Sequence, residues 1–245
     1  MHIIISPAKK MVVDTDSFPV LSQPQYLPQT KQILTALQAL DDNQLQTLWH
    51  TNDKLTQANL MRLRNMDLTR QLTPALLAYS GIQYQYMAPD VFTTTALEYV
   101  QSHLRILSGF YGVLRPFDGV VPYRLEMQAK LTIDNAPNLY AFWGNQLYAA
   151  VDDGEPIINL ASQEYAKTIQ KYIPSERFID VVFGSFVDGK VKTRATIAKM
   201  ARGQMVRFMA ENQVTTVTQL YDFKEMNYRF VPDLSRANQL VFLDN

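Results

Sequence analysis

The chain of 245 residues contains no cysteine. Disulfides, thiolate metal sites, iron–sulfur ligation and a peroxidatic thiol are excluded together. Histidine is nearly as scarce, and His2, His50 and His103 are too dispersed for His-x-His or His-x-x-x-His spacing. No Glu-x-x-His pattern points to a carboxylate metal array, and no Gly-x-Ser-x-Gly elbow offers a serine nucleophile. Neither a metal nor a cofactor is expected. Long apolar runs are missing too: Ile3-Ile4-Ile5 falls far short of the ~20 residues a membrane helix needs. No small-residue cleavage site follows an apolar stretch near Met1, so a secretory signal is not expected and the compartment is read as cytoplasmic.

Net charge is the last absence, because Lys plus Arg and Asp plus Glu both number 23. A protein that grips nucleic acid with its whole surface is usually basic, so any polyanion site here must be a local patch. One such patch is visible. Between Phe186 and Ala210, Lys190, Lys192, Arg194, Lys199, Arg202 and Arg207 face Asp188 alone.

What is present is an ordinary globular composition, 47% hydrophobic and 19% charged, with no repeat or Gly/Ser linker. One domain over residues 1–245 is expected, α+β in class, with a mixed sheet surrounded by helices and a basic cleft. Strict βαβ alternation is missing, which argues against a Rossmann sheet. A buried strand opens at Ile3, and the proline-rich stretch Asp14–Gln29 wanders over the surface. Apolar periodicity predicts helices over Thr30–Leu40, Asn43–His50, Asp53–Asn65, Thr93–Ile106 and Arg194–Asn212, with a short one over Thr73–Ala78. Strands are predicted at Val113–Arg115, Arg124–Gln128, Ile157–Leu160 and Gln239–Leu243. Val187-Asp188-Gly189 should turn a hairpin between Phe178–Phe186 and Lys190–Thr193.

Three places carry possible chemistry. Leu104 to Lys130 combines Gly109, Gly112 and Gly119 with Pro116 and Pro122, which should hold Arg115, Arg124 and Glu126 in fixed positions. A plain loop with solvated arginines, or an ion pair of Glu126 with Arg124 or Arg115, explains the same residues. On the Arg194–Asn212 helix, Ile197, Ala198, Ala201, Met205, Phe208 and Met209 form an apolar stripe. Lys199, Arg202 and Arg207 occupy the other face. Lys199 and Arg202 have no acid at i±3 or i±4, whereas Arg207 can pair with Glu211. A solvated face is the plain reading and a phosphate-binding face the sharper one. Finally, Lys9 leaves the end of the first strand, where ligands often meet a sheet, although the glycines of a P-loop are missing.

The blocks IISPAK (Ile4–Lys9), LSGFYGVLRPFD with PYRLEM (Leu107–Met127), YAFWG (Tyr140–Gly144), INLASQEY (Ile158–Tyr165), ARGQMVRFMAEN (Ala201–Asn212) and QLVF (Gln239–Phe242) follow one another along nearly the whole chain. In this order they resemble the YaaA family of peroxide-stress proteins. The resemblance implies a cytoplasmic protein of the oxidative-stress response that limits peroxide and iron damage indirectly and binds DNA through a basic cleft. Lys9, Arg115, Arg124, Lys190, Lys192, Arg194, Lys199, Arg202 and Arg207 are then the candidate DNA or anion contacts, largely to phosphates and with little sequence preference. Glu126, Asn159 and Ser162 could complete a pocket, though Ser162 could equally serve only as a helix cap. Lys9, Arg115, Arg124, Glu126 and the start of the Arg194 helix are expected to share that cleft. The rival class is an enzyme acting on a nucleobase, nucleotide or other phosphorylated small molecule, with Tyr140 and Trp143 as an aromatic wall. No nucleophile stands out, so a binding role is preferred and no reaction is named.

Overall fold

An apolar run of three isoleucines suits a strand covered on both faces, and Ile3, Ile4 and Ile5 are indeed fully buried. They lie in β1 (His2–Ile5), at the heart of a computed structural model that describes residues 1–244. Helices α1 (Leu27–Gln38), α2 (Asp42–Trp49) and α3 (Asp53–Arg64) follow. Next come β2 (Thr73–Pro74), α4 (Ala75–Ala78), α5 (Ile82–Met87) and α6 (Thr94–His103). The middle holds β3 (Leu104–Ser108), β4 (Gly112–Leu114), β5 (Gly119–Val120), α7 (Leu139–Trp143) and α8 (Gln146–Ala149). The last third contains β6 (Ile157–Leu160), α9 (Gln163–Gln170), β7 (Phe178–Val187), β8 (Lys190–Lys192), α10 (Ala195–Glu211), β9 (Tyr228–Phe230) and β10 (Gln239–Asp244).

The main sheet is mixed and has eight strands in the order β4-β3-β1-β6-β7-β10-β9, with β8 paired to β7. The five strands from β3 to β10 run parallel, and β4, β8 and β9 join antiparallel at the periphery. The expected α+β class with helices around a mixed sheet is what forms. Because β3 lies on one side of β1 and β6 on the other, the strand order reverses about β1. Such a reversal leaves a crevice outside the carboxyl ends of the strands.

Several predicted elements differ, each for a tertiary reason. The helix expected to reach Ile106 stops at His103, and Leu104–Ser108 becomes β3. Its backbone pairs with β1 through Ile3–Leu104 and Ile5–Ile106, contacts that span about a hundred residues and override the local period. Thr73-Pro74 is a short strand against Val120 and Gly119, so the helix begins only at Ala75. Arg124–Gln128 is irregular rather than a strand, and Leu125 and Met127 are buried without a ladder partner. The Asp188-Gly189 hairpin forms as predicted, between Ser185–Val187 and Lys190–Lys192.

The segment α10 is covered on two sides. Ala198, Ala201, Met205 and Met209 are buried, and α5 packs along α10 at Gly203. On the basic face Lys199 is exposed, while Arg202 and Arg207 are half-buried.

Candidate functional site

The crevice at the carboxyl ends of β1 and β6 is a cleft of about 560 Å³. Two strand exits build its floor. Ser6, just past β1, donates from Oγ to Ser162 Oγ at 3.1 Å and accepts from the Ser162 N–H at 2.8 Å. The phenol of Tyr84 on α5 donates to the Ser6 carbonyl at 2.9 Å. These bonds tie the first strand, the start of α9 and α5 into one rim.

Charge enters from four segments. Lys9 and Lys10 come from the loop after β1, Arg124 and Glu126 from the irregular stretch, and Lys199 and Arg202 from α10. Glu164 of α9 is the second carboxylate of the lining. Lys9 Nζ meets Glu126 Oε1 at 2.7 Å, while Arg124 Nη2 stands 3.8 Å from the same oxygen, too long for a hydrogen bond. The lysine is 63% exposed and Arg124 only 16%, so Glu126 is held from the rim rather than used up by the deeper cation. Gly109 makes this placement possible. A Cβ there would lie 3.1 Å from the Glu126 carbonyl carbon and the Met127 nitrogen, so the two backbones meet only because one residue is glycine.

Arg124 and Arg202 have the same defect. Each has a buried Nε with no hydrogen-bond acceptor among the described residues. Burial lowers the pKa of Arg202 from the usual arginine range, and Asp180 opposes that only from a distance. A guanidinium remains protonated in a protein, and an unpaired cation out of water destabilises the fold. Arg202, with no carboxylate in ion-pair range among the described residues, and Arg124, whose carboxylate partner stands 3.8 Å away, leave the cleft poised for an anion.

Glu164 has the complementary character. Burial raises its pKa above the ordinary carboxylate value and the nearby Glu126 adds to the rise, while the Gln128 N–H, donating to Oε1 at 3.1 Å, works against it.

Behind the cleft lies a hydroxyl chain. Ser108 Oγ accepts from the Phe110 and Tyr111 N–H groups at 3.2 and 2.9 Å, which occupies its lone pairs. Its proton must therefore point to Tyr123 Oη at 2.6 Å, and the Tyr123 proton to Tyr79 Oη at 2.9 Å. Burial pushes the Tyr123 pKa up to about 12, so the chain stays neutral at ordinary pH. Tyr123→Phe should cost about 1–2 kcal/mol, since it leaves the Ser108 hydroxyl donor buried and unpaired. Thermal unfolding checks this, and an unchanged midpoint would show that the hydroxyl chain is dispensable.

Of the residues predicted from sequence to form the site, Lys9, Arg124, Glu126, Lys199, Arg202 and Ser162 line this cleft. The others lie elsewhere. Arg115 turns to Asp118, its Nε 3.3 Å from Oδ1, because the acid three residues on is closer than any cleft group. Arg194 is an exposed N-cap residue of α10 and does not line the cleft. Lys190 and Lys192 sit on the exposed β8 strand, where Lys192 pairs with Asp188 at 2.7 Å. Arg207 pairs with Glu211 at 2.8 Å. Asn159 lines a neighbouring cavity with Asp180, to which its side chain donates at 2.6 Å; Arg202 reaches the wall of both cavities. Trp143 is fully buried and donates to the Gly109 carbonyl, so it supports the backbone rather than forming a pocket wall. Tyr84, Tyr165 and Glu164 belong to the cleft but were not singled out by sequence. Glu164 and Tyr165 end the INLASQEY block, the one available signal for them.

The comparisons with known proteins are uniform over the chain. A family model described as "Peroxide stress protein YaaA" matches residues 1–234. A UPF0246 protein of Lactiplantibacillus plantarum is 61% identical over 245 residues, covering 99% of each chain. One from Pediococcus pentosaceus is 55% identical, covering 100% of this chain and 98% of its own. Another, from Agathobacter rectalis, is 50% identical over 99% of this chain and 98% of its own. With matches of this extent and identity, the chain belongs to the YaaA family of peroxide stress proteins.

Proposed function

We propose that the protein acts in the cytoplasm during peroxide stress by binding DNA through the phosphates of its backbone. The cleft outside β1 and β6 is the point of contact. The two buried Nε–H groups without an acceptor, on Arg124 and Arg202, carry this reading, because a phosphate accepts from both and supplies the counter-charge that Arg202 lacks and that Arg124 has only at 3.8 Å on Glu126. Lys9, Lys10 and Lys199 at the rim extend the contact to flanking phosphates. Glu126 and Glu164 temper the local charge and suit a chain that is neutral overall. No catalytic step belongs to this reading.

Backbone contact has a measurable signature. Each phosphate neutralised releases counterions, so the logarithm of the association constant falls against log salt with a slope of about −0.9 per phosphate. With two to five cations engaged, the slope for a labelled duplex should lie between about −2 and about −4.5, and the affinity should vary little with sequence. An affinity indifferent to salt would remove the proposal.

A further inference from the structure

A groove built only for a sugar-phosphate backbone gains nothing from carboxylates or from an apolar floor. This cleft has both. Tyr84, Tyr123 and Tyr165 line it while exposing 4%, 8% and 5% of their surface, and Pro7, Ile82 and Leu125 join them. Together they give the cleft an apolar floor, the kind of surface on which a planar ring packs. Glu126 and Glu164 stand among five cations in the same lining. Lys9 satisfies Glu126. Among the described residues Glu164 has no cation in ion-pair contact, and its known partner is the Gln128 N–H. A carboxylate so placed repels phosphate and attracts N–H donors, as carboxylates do with the amino groups of bases. A ligand that satisfies the whole lining is therefore anionic at one end and carries a planar, donor-bearing ring at the other.

We infer that the cleft holds one nucleotide unit, with its phosphate between Arg124 and Arg202, its ring against the tyrosines and a ring N–H or amino group on Glu164. This rests on the phosphate-binding reading of the cleft but not on the partner being DNA. The volume of about 560 Å³ falls in the range of small-molecule sites. The same chemistry comes from two sources, a free nucleoside monophosphate or a nucleotide unstacked from a DNA strand.

Titration calorimetry on the full chain separates the possibilities, using the four nucleoside 5′-monophosphates, ribose 5-phosphate and inorganic phosphate as probes. At least one nucleotide should bind about tenfold or more tighter than ribose 5-phosphate, because only it meets the floor and Glu164. Glu164→Gln keeps an oxygen for the Gln128 N–H; it should erase most of that advantage without weakening ribose 5-phosphate. A second arm compares a duplex carrying one unpaired nucleotide with the same duplex made abasic there. Preference for the unpaired base assigns the site to DNA, and preference for free nucleotides alone assigns it to metabolites; either supports the inference. If all phosphate probes bind equally and the abasic duplex binds as well as its partner, the inference fails while phosphate binding survives. If no phosphate probe and no duplex binds, both fail.

Discussion

Substituting Gly203 with alanine should lower folding stability by about 2 kcal/mol, within the ~1–3 kcal/mol range of overpacked sites. On helix propensity alone the opposite is expected, since alanine exceeds glycine by ~1 kcal/mol in a helix interior. Packing decides the sign. A Cβ on Gly203 would sit 2.2 Å from the Gln83 carbonyl oxygen and 3.0 Å from both Met87 N and Tyr86 Cβ. Two of these three atoms belong to backbone, so α5 itself must retreat from α10. Gln83 and Tyr84 line the cleft from α5, and the affinity for phosphate should fall with the stability. Urea denaturation reads the effect as a lower midpoint at an unchanged slope. A midpoint equal to or above that of the parent protein would show that the two helices are not in tight contact.

Arg202→Met should move stability and binding in opposite directions. Methionine follows the same path without the charge, so the desolvation of an unpaired guanidinium disappears. A gain of about 1 kcal/mol is expected, or ~2–4 °C in melting temperature for a chain of this size. Phosphate and DNA affinity should fall at least about tenfold, as when one member of a buried charge pair is removed. Loss of stability would instead make Arg202 a structural partner of Asp180, which lies across the neighbouring cavity. That outcome would leave Arg124 as the one cleft arginine with a buried Nε–H free for an anion.

Local pattern made part of this legible. Three isoleucines in a row marked the central strand, the apolar stripe marked α10, and Asp188-Gly189 marked the hairpin. Leu104-Arg105-Ile106-Leu107 fits a helix end and a strand equally well, and only pairing with β1 decides between them. The candidate site divided in the same way. Lys9, Arg124 and Glu126 stood out through their unusual backbone settings and do meet. Arg202 stood out as a cation with no acid one turn away and does line the cleft, but α5, which lines it too, is only six residues long and left no periodic trace. The glycine beside Arg202 was the available sign, since a mid-helix glycine often marks close approach. Arg115 looked equivalent to Arg124, but Asp118 three residues on satisfies it locally. Lys192 and Arg207 were likewise neutralised by an acid four residues away.

The central claim is that the anion binds in the cleft and not along the basic stretch from Lys190 to Arg207. Two variants of the full chain compared on one labelled duplex at fixed salt test it most directly. The first changes Lys9, Arg124 and Arg202 to Met; the second changes Lys190, Lys192 and Arg207 to Gln. The cleft variant should lose at least about tenfold in affinity while the stretch variant stays within about twofold, because its cations are already paired or far from the cleft. Near-normal binding by the cleft variant together with a large loss in the other would contradict the claim and move the site to the surface of β8 and α10.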